Sequence, residues 1–520
     1  MSIIPTKMEK CKGAMLSTAI GDALGWPNEK ISKNVWKNIK VKESFIEWKR
    51  RSNKPYWHEE KILSGEYSDD TQLTLAISRS IITGNWEKFF IEKELPFWLN
   101  YERGGGVALL KAAKSCQRGQ LLWQSKYIKG YFEAGGNGAM MRILPHVIAN
   151  EEKSNIEELM IDIIKDTLIT HGHPRAFLGA TCYAYALNYL LNKEDILDYG
   201  ELITAVINGK NYWSDIPIYK LKNEWFHIIE RCKVYNFGEE WEKVCKDMLY
   251  KLEKIKGILK RGLMLNDVEV LTELGCFSKA KGAGDVTILS AIYLASKYAS
   301  NPLLGIKVSA FLFGADTDTI ASITGGLLGM LNGMDWIPKE WKKVQDYECF
   351  LQITELLRSE NRKEATRREI LEIKDQSKEW KSTPIGKMRL IECKEYLNSK
   401  GKILIEKWKS MLGQTIYIKS VYSNKIIYPI EDKNLILQKD FYKDLKNKDK
   451  DIIEKEKYIT LNLINILDLL NDVNFKKNIT VGKTLKIIRD IMKDDKSIEI
   501  LSKKYKVEKT FIQKLNQYIR

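Results

Sequence analysis

Two acidic motifs, far apart in the sequence, contain the residues best suited to chemistry. The first is Tyr67-Ser68-Asp69-Asp70-Thr71-Gln72, and the second is Gly314-Ala315-Asp316-Thr317-Asp318-Thr319. Each motif stands at the start of a predicted helix. Because successive helical residues diverge by about 100°, two acids of one motif can converge only if one of them lies in the cap or loop before the helix. Both motifs permit this convergence.

These acids have two interpretations, as helix caps or as metal ligands. Aspartate is common at helix N-termini, where it accepts hydrogen bonds from free amides. Asp316 and Asp318, however, lie in a stretch of apolar and small residues, 311–331. The sequence has no Lys or Arg between Lys307 and Lys339 to pair with them. Because an unpaired buried carboxylate is costly and oxygen donors without Cys or His suit hard ions, we favour a pair of Mg²⁺ or Mn²⁺ ions.

Three further motifs contain residues that could bind a ligand. Gly21-Asp22-Ala23-Leu24-Gly25 precedes Trp26-Pro27-Asn28-Glu29, and we expect Glu29 in a loop because it follows a proline. Gly135-Gly136-Asn137-Gly138-Ala139-Met140-Met141-Arg142 predicts a glycine turn entering a helix, whose free amides can receive a phosphate. The two histidines of Thr170-His171-Gly172-His173-Pro174 could bind a metal, although a purely structural histidine is the commoner case.

In this order the five motifs resemble those of the ADP-ribosylglycohydrolase family, metal-dependent enzymes that remove ADP-ribose from modified macromolecules. The resemblance extends from about Gly13 to Gly333. It rests on the segments GDALGWPNE, YSDDTQLTLA, GGNGAMMR, THGHPRA and FGADTDTIASITGGLLG. It implies a compact all-α helical bundle, and a hydrolase that cleaves the glycosidic bond at the anomeric carbon of the ribose.

The resemblance also implies a role for each motif. Two Mg²⁺ or Mn²⁺ ions would have side-chain ligands from both acidic motifs, namely Ser68, Asp69, Asp70, Asp316, Asp318 and Thr319. The catalytic residues would be Asp69 and Asp70 together with Glu29, which belongs to a lid loop that reaches the metal centre or yields to substrate. The ribose and diphosphate would be held by Gly136, Asn137 and Gly138, and His171 would line the pocket. Bound ions can grip the ribose hydroxyls and lower the pKa of a water, while a carboxylate accepts its proton.

Two questions stay open at this point. Some relatives place an acid shortly before the asparagine of the glycine turn, whereas Gly135 and Gly136 precede Asn137 here and the nearest acid is Glu133. The residue that assists the leaving group is therefore not identified, and neither is the acceptor linkage, which could be to arginine, serine or nucleic acid. An alternative function is a catalytically silent module that binds ADP-ribose and signals through a basic C-terminal tail.

The elements that must position these residues are predicted to be helices. Apolar residues recur at three- and four-residue spacing in 70–82, 107–116, 156–168, 176–191, 241–259, 287–298 and 320–331. The predicted fold class is therefore all-α, with a smaller, basic α+β region at the C-terminus. The predicted organisation comprises a catalytic domain (1–345) with a possible insertion (208–281), a charged helical connector (346–383), a small β-containing region (384–450) and a basic helical region (451–520).

The excess positive charge lies in the C-terminal quarter of the chain. Residues 381–520 contain 31 Lys and Arg against 18 Asp and Glu, a net charge of +13 out of +16 for the whole chain. The segments 497–505 and 510–518 have lengths suited to a helix-turn-helix, and their lysines could meet phosphates of DNA or RNA. Lys-rich helices that are simply solvated are the common alternative.

Several classes of protein are disfavoured by the composition. The longest apolar stretch, 303–331, contains Lys307, Asp316 and Asp318, so we expect no membrane span. The eight cysteines include no CxxC pair, which indicates a reducing cytoplasm as the simplest compartment. The expected partner is an ADP-ribosylated protein or nucleic acid.

Overall fold

Helices dominate the first part of the chain, as the spacing of apolar residues predicted. The computed structural model describes residues 4–31, 43–52, 58–150, 156–215, 223–232, 235–262, 265–359, 380–398, 401–423, 487, 490–491 and 497–519. The chain forms two compact units, residues 1–424 and 425–520. Among the described residues, no helix has both the length and the apolar character needed to cross a membrane.

Helices α1 to α18 belong to the first unit. They are α1 (Lys7–Gly25), α2 (Asp69–Ile82), α3 (Trp86–Phe89), α4 (Leu95–Trp98), α5 (Val107–Gln117), α6 (Ile128–Phe132), α7 (Leu144–Ala149), α8 (Ile156–Thr170), α9 (Pro174–Leu191), α10 (Glu201–Asn208), α11 (Lys210–Ser214), α12 (Asn223–Cys232), α13 (Phe237–Leu259), α14 (Asp267–Leu274), α15 (Gly284–Lys297), α16 (Pro302–Ala310), α17 (Thr317–Asn332) and α18 (Tyr347–Arg358).

Helices α1 and α17 pack against each other at backbone distance along the centre of this unit. A Cβ on Gly13 would lie 2.2 Å from the Gly333 carbonyl oxygen, and one on Gly25 would lie 2.3 Å from the Thr317 carbonyl oxygen. The two helices are therefore antiparallel. Their pairing places the C-terminal end of α1 beside the N-terminal end of α17, where the second acidic motif lies.

We predict that Gly21→Ala destabilises the protein, because the added Cβ would lie 2.1 Å from the Ala321 carbonyl oxygen. Overpacking costs typically about 1–3 kcal/mol, so the free energy of unfolding should fall by about 2 kcal/mol, measured by chemical denaturation. Gly257→Ala in α13 is the matched control, since its Cβ meets no atom within 4 Å and alanine favours a helix. An equal loss in both variants would contradict the close packing at Gly21.

Two antiparallel sheets accompany the helices of the first unit. Strands β1 (Trp48–Ser52) and β2 (His58–Ile62) form a hairpin. Strands β3 (Trp380–Thr383), β4 (Gly386–Asn398), β5 (Gly401–Ser410) and β6 (Thr415–Ser423) pair in that order. Buried side chains of this second sheet, which include Met388, Trp408 and Ile416, belong to the hydrophobic core of the helices.

The structure shows strands within the predicted β-containing region. The run 414–422 lies in β6, which pairs with the preceding strand, β5. Residues 424–431 lie outside the described residues, as does most of the predicted charged connector. The all-α class with a smaller sheet-containing C-terminal region is confirmed, whereas the four domain boundaries stay predictions.

The second unit contains the helix pair predicted near the C-terminus. Helix α19 (Ile498–Tyr505) and helix α20 (Lys509–Ile519) are joined through Lys506, whose φ is +49°. Leu501, Phe511 and Leu515 are buried. The two predicted segments, 497–505 and 510–518, are therefore helical over most of their length, while their role as a DNA-binding helix-turn-helix stays a prediction.

Candidate active site

The first acidic motif is buried at the N-terminus of α2. Ser68 is the N-cap, and its Oγ accepts the Asp70 N–H at 3.3 Å. The side chains of Asp69 and Asp70 are 7% and 2% exposed. Asp70 Oδ2 is buried and has no hydrogen-bond partner among the described residues. Since buried polar atoms are nearly always paired, this oxygen is a candidate to bind a cation.

The second acidic motif begins α17. Asp316 is the residue before the helix, and Asp318 lies in its first turn. Asp318 Oδ1 accepts the Thr319 N–H at 2.9 Å, and Asp316 Oδ2 accepts a hydrogen bond from Asn137 Nδ2 at 2.6 Å. The α1–α17 pairing thus leaves these carboxylates at the same end of the bundle as α2.

The electrostatics show that the two motifs are neighbours in space. Burial, followed by the charge of Asp318, raises the pKa of Asp70 well above its ordinary value. Burial, followed by the charges of Asp316 and Glu29, raises the pKa of Asp318 in the same way. Burial also raises the pKa of Asp316 to about 6. The fold therefore brings the carboxylates of both motifs close together in a buried, low-dielectric environment. This arrangement is unfavourable unless a cation binds there.

The available donors fit Mg²⁺ or Mn²⁺ by their chemistry. They are the carboxylates of both motifs and the hydroxyls of Ser68 and Thr319, all of them oxygen ligands suited to hard ions. In the described part of the chain, no group of three or more His, Cys, Asp or Glu side chains is placed so that it could hold a metal ion. The fit rests instead on the unpaired Asp70 Oδ2 and the mutual repulsion of the acids. The ligand roles stay predictions.

Asp22 holds the first motif in place, a role that sequence reasoning missed. This carboxylate is fully buried near the end of α1. Its oxygens accept the Ser68 N–H and the Thr71 N–H, each at 3.1 Å, and also the Thr71 hydroxyl. The available signal was an aspartate with no basic residue nearby in the small-residue run Gly21–Gly25.

A lysine distant in sequence supplies the positive charge that the second motif lacks locally. Lys281 Nζ donates to the carbonyl oxygen of Ala315 at 3.0 Å, and its charge acts to lower the pKa of Asp316. Lys281 belongs to the loop before α15, so its position depends on tertiary structure. The gap between Lys307 and Lys339 in the sequence therefore does not leave Asp316 without a cationic neighbour.

The glycine turn and the first histidine lie next to the second motif. Asn137 donates its N–H to the Gly282 carbonyl oxygen at 3.0 Å, and its side chain bonds both Asp316 and Thr287. The glycine positions of this turn face the His171 ring. A Cβ on Gly138 would lie 3.1 Å from His171 Cε1, and one on Gly136 would lie 3.7 Å from His171 Nε2.

The two histidines of the THGHP motif have separate surroundings. His171 is buried, and burial followed by the charge of Arg142 lowers its pKa to about 3, so its ring is neutral at pH 7. His173 caps α9, accepting the Arg175 N–H on Nδ1 at 3.2 Å. This contact supports the structural interpretation of His173 over a metal site shared by both rings.

Glu29 lines a cavity of about 170 Å³ beside Asp69. Aromatic walls are contributed by Trp26 and Trp48, whose ring centroids are 5.0 Å apart. The floor includes Gly104, where φ is +125° and a Cβ would lie 2.5 Å from Asp69 Oδ1. A side chain at position 104 would therefore block the approach to the acids.

The predicted site residues thus lie in one region of the first unit. Direct contacts or electrostatic interactions connect Glu29, Ser68, Asp69, Asp70, Asn137, Asp316, Asp318 and Thr319, and His171 adjoins the Gly136–Gly138 turn. This arrangement gathers oxygen donors of the kind that suits divalent cations, and Glu29 both lines the cavity and acts electrostatically on Asp318.

Comparison with known proteins identifies a family and several relatives. The ADP-ribosylglycohydrolase family profile matches residues 4–367. An ADP-ribosylarginine hydrolase, Tri1 from Serratia proteamaculans, is 21% identical over 64% of this chain and 74% of its own length. The ADP-ribosyl-[dinitrogen reductase] glycohydrolase of Rhodospirillum rubrum is 26% identical over 33% of this chain and 54% of its own length.

The chain is also similar to a vertebrate ADP-ribosylhydrolase and to a solved structure. The ADP-ribosylhydrolase ARH3 of Xenopus tropicalis is 23% identical over 64% of this chain and 90% of its own length. A solved ADP-ribosylglycohydrolase-related protein complex superposes with a TM-score of 0.40 and 18% identity, covering 68% of this chain and 98% of that one. Because the family profile spans well over half of the sequence and includes all five motifs, this chain belongs to the ADP-ribosylglycohydrolase family.

Proposed function

We propose that this protein hydrolyses the glycosidic bond at the ribose anomeric carbon and so releases ADP-ribose from a modified macromolecule. The observation that carries the proposal is the meeting of two acidic motifs around the unpaired Asp70 Oδ2. The relatives are ADP-ribosyl hydrolases, which supports the reaction class. The metal requirement and the acceptor are the parts that need testing.

In this proposal the acidic motifs hold two Mg²⁺ or Mn²⁺ ions. The ligands are Ser68, Asp69, Asp70, Asp316, Asp318 and Thr319. When bound, such ions stabilise charge on ribose hydroxyls and lower the pKa of a water. Relief of the repulsion between Asp70 and Asp318 would contribute to their binding.

The chain's own groups then orient the substrate and move the proton. Asp69 or Asp70 accepts the proton of the attacking water, since a positioned carboxylate can serve as a general base. Glu29 closes the cavity side of the site. The Gly136–Gly138 turn receives the ribose and diphosphate, and the neutral His171 ring offers a hydrogen bond without adding charge.

An arginine-linked ADP-ribosylated protein is the first substrate to test. One relative is an ADP-ribosylarginine hydrolase, and another is an ADP-ribosyl-[dinitrogen reductase] glycohydrolase. Released ADP-ribose should be measured on arginine-, serine- and nucleic-acid-linked substrates, with Mg²⁺, with Mn²⁺ and with a chelator. Full activity in the chelator would contradict the metal centre without contradicting the hydrolase.

Calorimetry with ADP-ribose separates this enzyme from the silent binding module. An enzyme is expected to bind the product ADP-ribose and to release it from at least one linkage. Tight binding with no release from any linkage, with metal present, would favour the silent module instead.

We predict that Glu29→Gln slows turnover while the fold and metal binding remain. Glu29 is half-buried at the cavity, and its charge acts on Asp69 and Asp318 from the turn that ends a short 3-10 helix, Trp26–Asn28. Loss of one positioned acid–base group typically costs about 10²-fold or more in rate. The measurements are kcat, Mn²⁺ affinity and the melting temperature. A variant that melts early and no longer binds metal would make Glu29 a structural ligand.

The basic second unit supports a separate prediction about nucleic acid. If its lysines neutralise several phosphates, DNA affinity should fall steeply between about 50 and 200 mM salt. Deletion of residues 425–520 removes only this unit, so it should abolish DNA binding and leave turnover of a small substrate intact. Equal binding by the truncated chain would place the contact elsewhere.

A further inference from the structure

The sheet formed by β3 to β6 lies beyond the segment that matches the family, residues 4–367, yet it is integral to the first unit. Side chains alternate along a strand, and β6 presents two different surfaces. Ile416 is fully buried in the hydrophobic core. Tyr417 and Lys419, by contrast, make polar contacts with residues that flank the first acidic motif.

Arg103 connects these side chains to one another. Its guanidinium, 2% exposed, forms ion pairs of 2.8 Å with both Glu60 and Glu66 and lies 4.0 Å from the centroid of the Tyr417 ring. The Tyr417 hydroxyl donates to Glu66, and Lys419 Nζ donates to Glu60. The residues Glu60, Glu66, Arg103, Tyr417 and Lys419 are called the sheet-to-site network here.

The sheet-to-site network reaches the first acidic motif through the backbone. The Arg103 carbonyl oxygen accepts the Asp69 N–H at 3.0 Å. The Lys419 N–H donates to the Asn100 carbonyl oxygen at 3.1 Å and so fixes the start of the same loop. The next residue after Arg103 is Gly104, where a Cβ would lie 2.5 Å from Asp69 Oδ1.

A second connection approaches the motif from its other side. Asp346 accepts the Tyr67 hydroxyl at 2.8 Å, and Tyr67 immediately precedes Ser68. The same carboxylate accepts Lys409 Nζ at 2.8 Å and the Thr415 hydroxyl at 2.7 Å, both from the sheet. Asp346 has a φ of +62°, unusual for a residue with a side chain. Contacts with the sheet therefore reach Ser68–Asp70 by two routes, one through the preceding Tyr67 and the other through the loop at Arg103.

We infer that the C-terminal sheet positions the candidate metal ligands, with Tyr417 and Lys419 as positioning residues that act through Arg103 and Glu66. The inference rests on the proposed function for the identity of the ligand. A sheet that follows the family segment thereby becomes part of the site, and a truncation at residue 380 would remove it. Partners that hold metal ligands in place typically change metal affinity by about 10- to 100-fold when removed.

The test compares Tyr417→Phe and Lys419→Met with the wild type in the full-length chain. Tyr417→Phe keeps the ring beside Arg103 and removes only the hydroxyl donor to Glu66. Lys419→Met keeps an apolar stem and removes only the ammonium group. Each should weaken Mn²⁺ binding by about 10-fold, measured by calorimetry with the metal alone. Each should also speed amide hydrogen exchange in peptides covering residues 66–72 and 100–105.

Ile416→Ala is the matched control. Ile416 lies in the same strand, directly before Tyr417, but its side chain is in the hydrophobic core. It should lower the melting temperature while Mn²⁺ affinity and exchange at 66–72 stay at wild-type values. Lys419→Arg, which keeps a positive charge beside Glu60, should retain more Mn²⁺ affinity than Lys419→Met. This pattern would support positioning over general stability.

The outcomes distinguish the inference from the proposed function. If Tyr417→Phe and Lys419→Met lower the melting temperature as Ile416→Ala does, with Mn²⁺ affinity and local exchange unchanged, the inference is overturned. If the wild type itself binds no Mn²⁺, the metal centre fails, and the exchange of residues 66–72 still decides whether the sheet positions the motif. Tyr417→Phe is conservative enough to preserve the comparison should Lys419→Met fail to fold.

Discussion

The double variant Asp316→Ala/Asp318→Ala is expected to lose hydrolysis by about 10³-fold or more, together with Mn²⁺ binding. Metal ions contribute several kcal/mol of transition-state stabilisation, and about 1.4 kcal/mol corresponds to a factor of ten in rate. Both carboxylates stand at the start of α17 and interact with Asp70. Their removal should therefore empty the second half of the proposed metal centre while α2 keeps the first half.

The same variant should not melt earlier than the wild type in the absence of metal. Burial and mutual repulsion raise the pKa of Asp318, so its ionised form is unfavourable in the metal-free fold. Its loss should leave the metal-free melting temperature unchanged or higher. Asp335→Ala/Glu340→Ala is the matched control, since both are exposed acids shortly after the same helix and their removal changes the net charge equally. Undiminished turnover by Asp316→Ala/Asp318→Ala would exclude the two-metal reaction.

Local sequence pattern was sufficient to predict the helices that carry the chemistry. The predicted segment 320–331 lies within α17, and 70–82 lies within α2. These predictions succeeded because apolar residues at helical spacing specify which face is buried, and because Ser68 and Asp316 are typical of helix starts. The glycines of α1 and α17 permit the close contact that the structure shows between the two helices.

What the sequence could not predict depends on partners distant along the chain. Lys281 lies 35 positions before Asp316, and nothing local indicates that its ammonium group meets the carbonyl of Ala315. Tyr417 and Lys419 lie two positions apart in an ordinary amphipathic strand. Only the tertiary structure brings them to Glu66 and Glu60. The sheet was recognised as β-structure, but its packing on the helical unit is a long-range property.

Asp22 is the most consequential of these missed residues, and its replacement has the second large expected effect. Asp22→Ala would leave the Ser68 N–H, the Thr71 N–H and the Thr71 hydroxyl without their buried acceptor. Each unsatisfied buried donor costs about 1–3 kcal/mol, so the free energy of unfolding should fall by about 3 kcal/mol or more. Turnover of the remaining folded protein should fall by about 10²-fold, because displacement of catalytic groups by about 1 Å has that effect.

Asp22→Asn separates the hydrogen bonds from the charge. Both variants remove a negative charge that raises the pKa of Asp69 and of Asp70, but asparagine keeps one oxygen that can accept from Ser68 or Thr71. If the hydrogen bonds dominate, Asp22→Asn should retain clearly more stability and turnover than Asp22→Ala. If charge dominates, the two variants should behave alike. Denaturation without metal and kcat/KM with Mn²⁺ decide between these results. Wild-type values for Asp22→Ala would show that α2 holds its acids in place without the hydrogen bonds of Asp22.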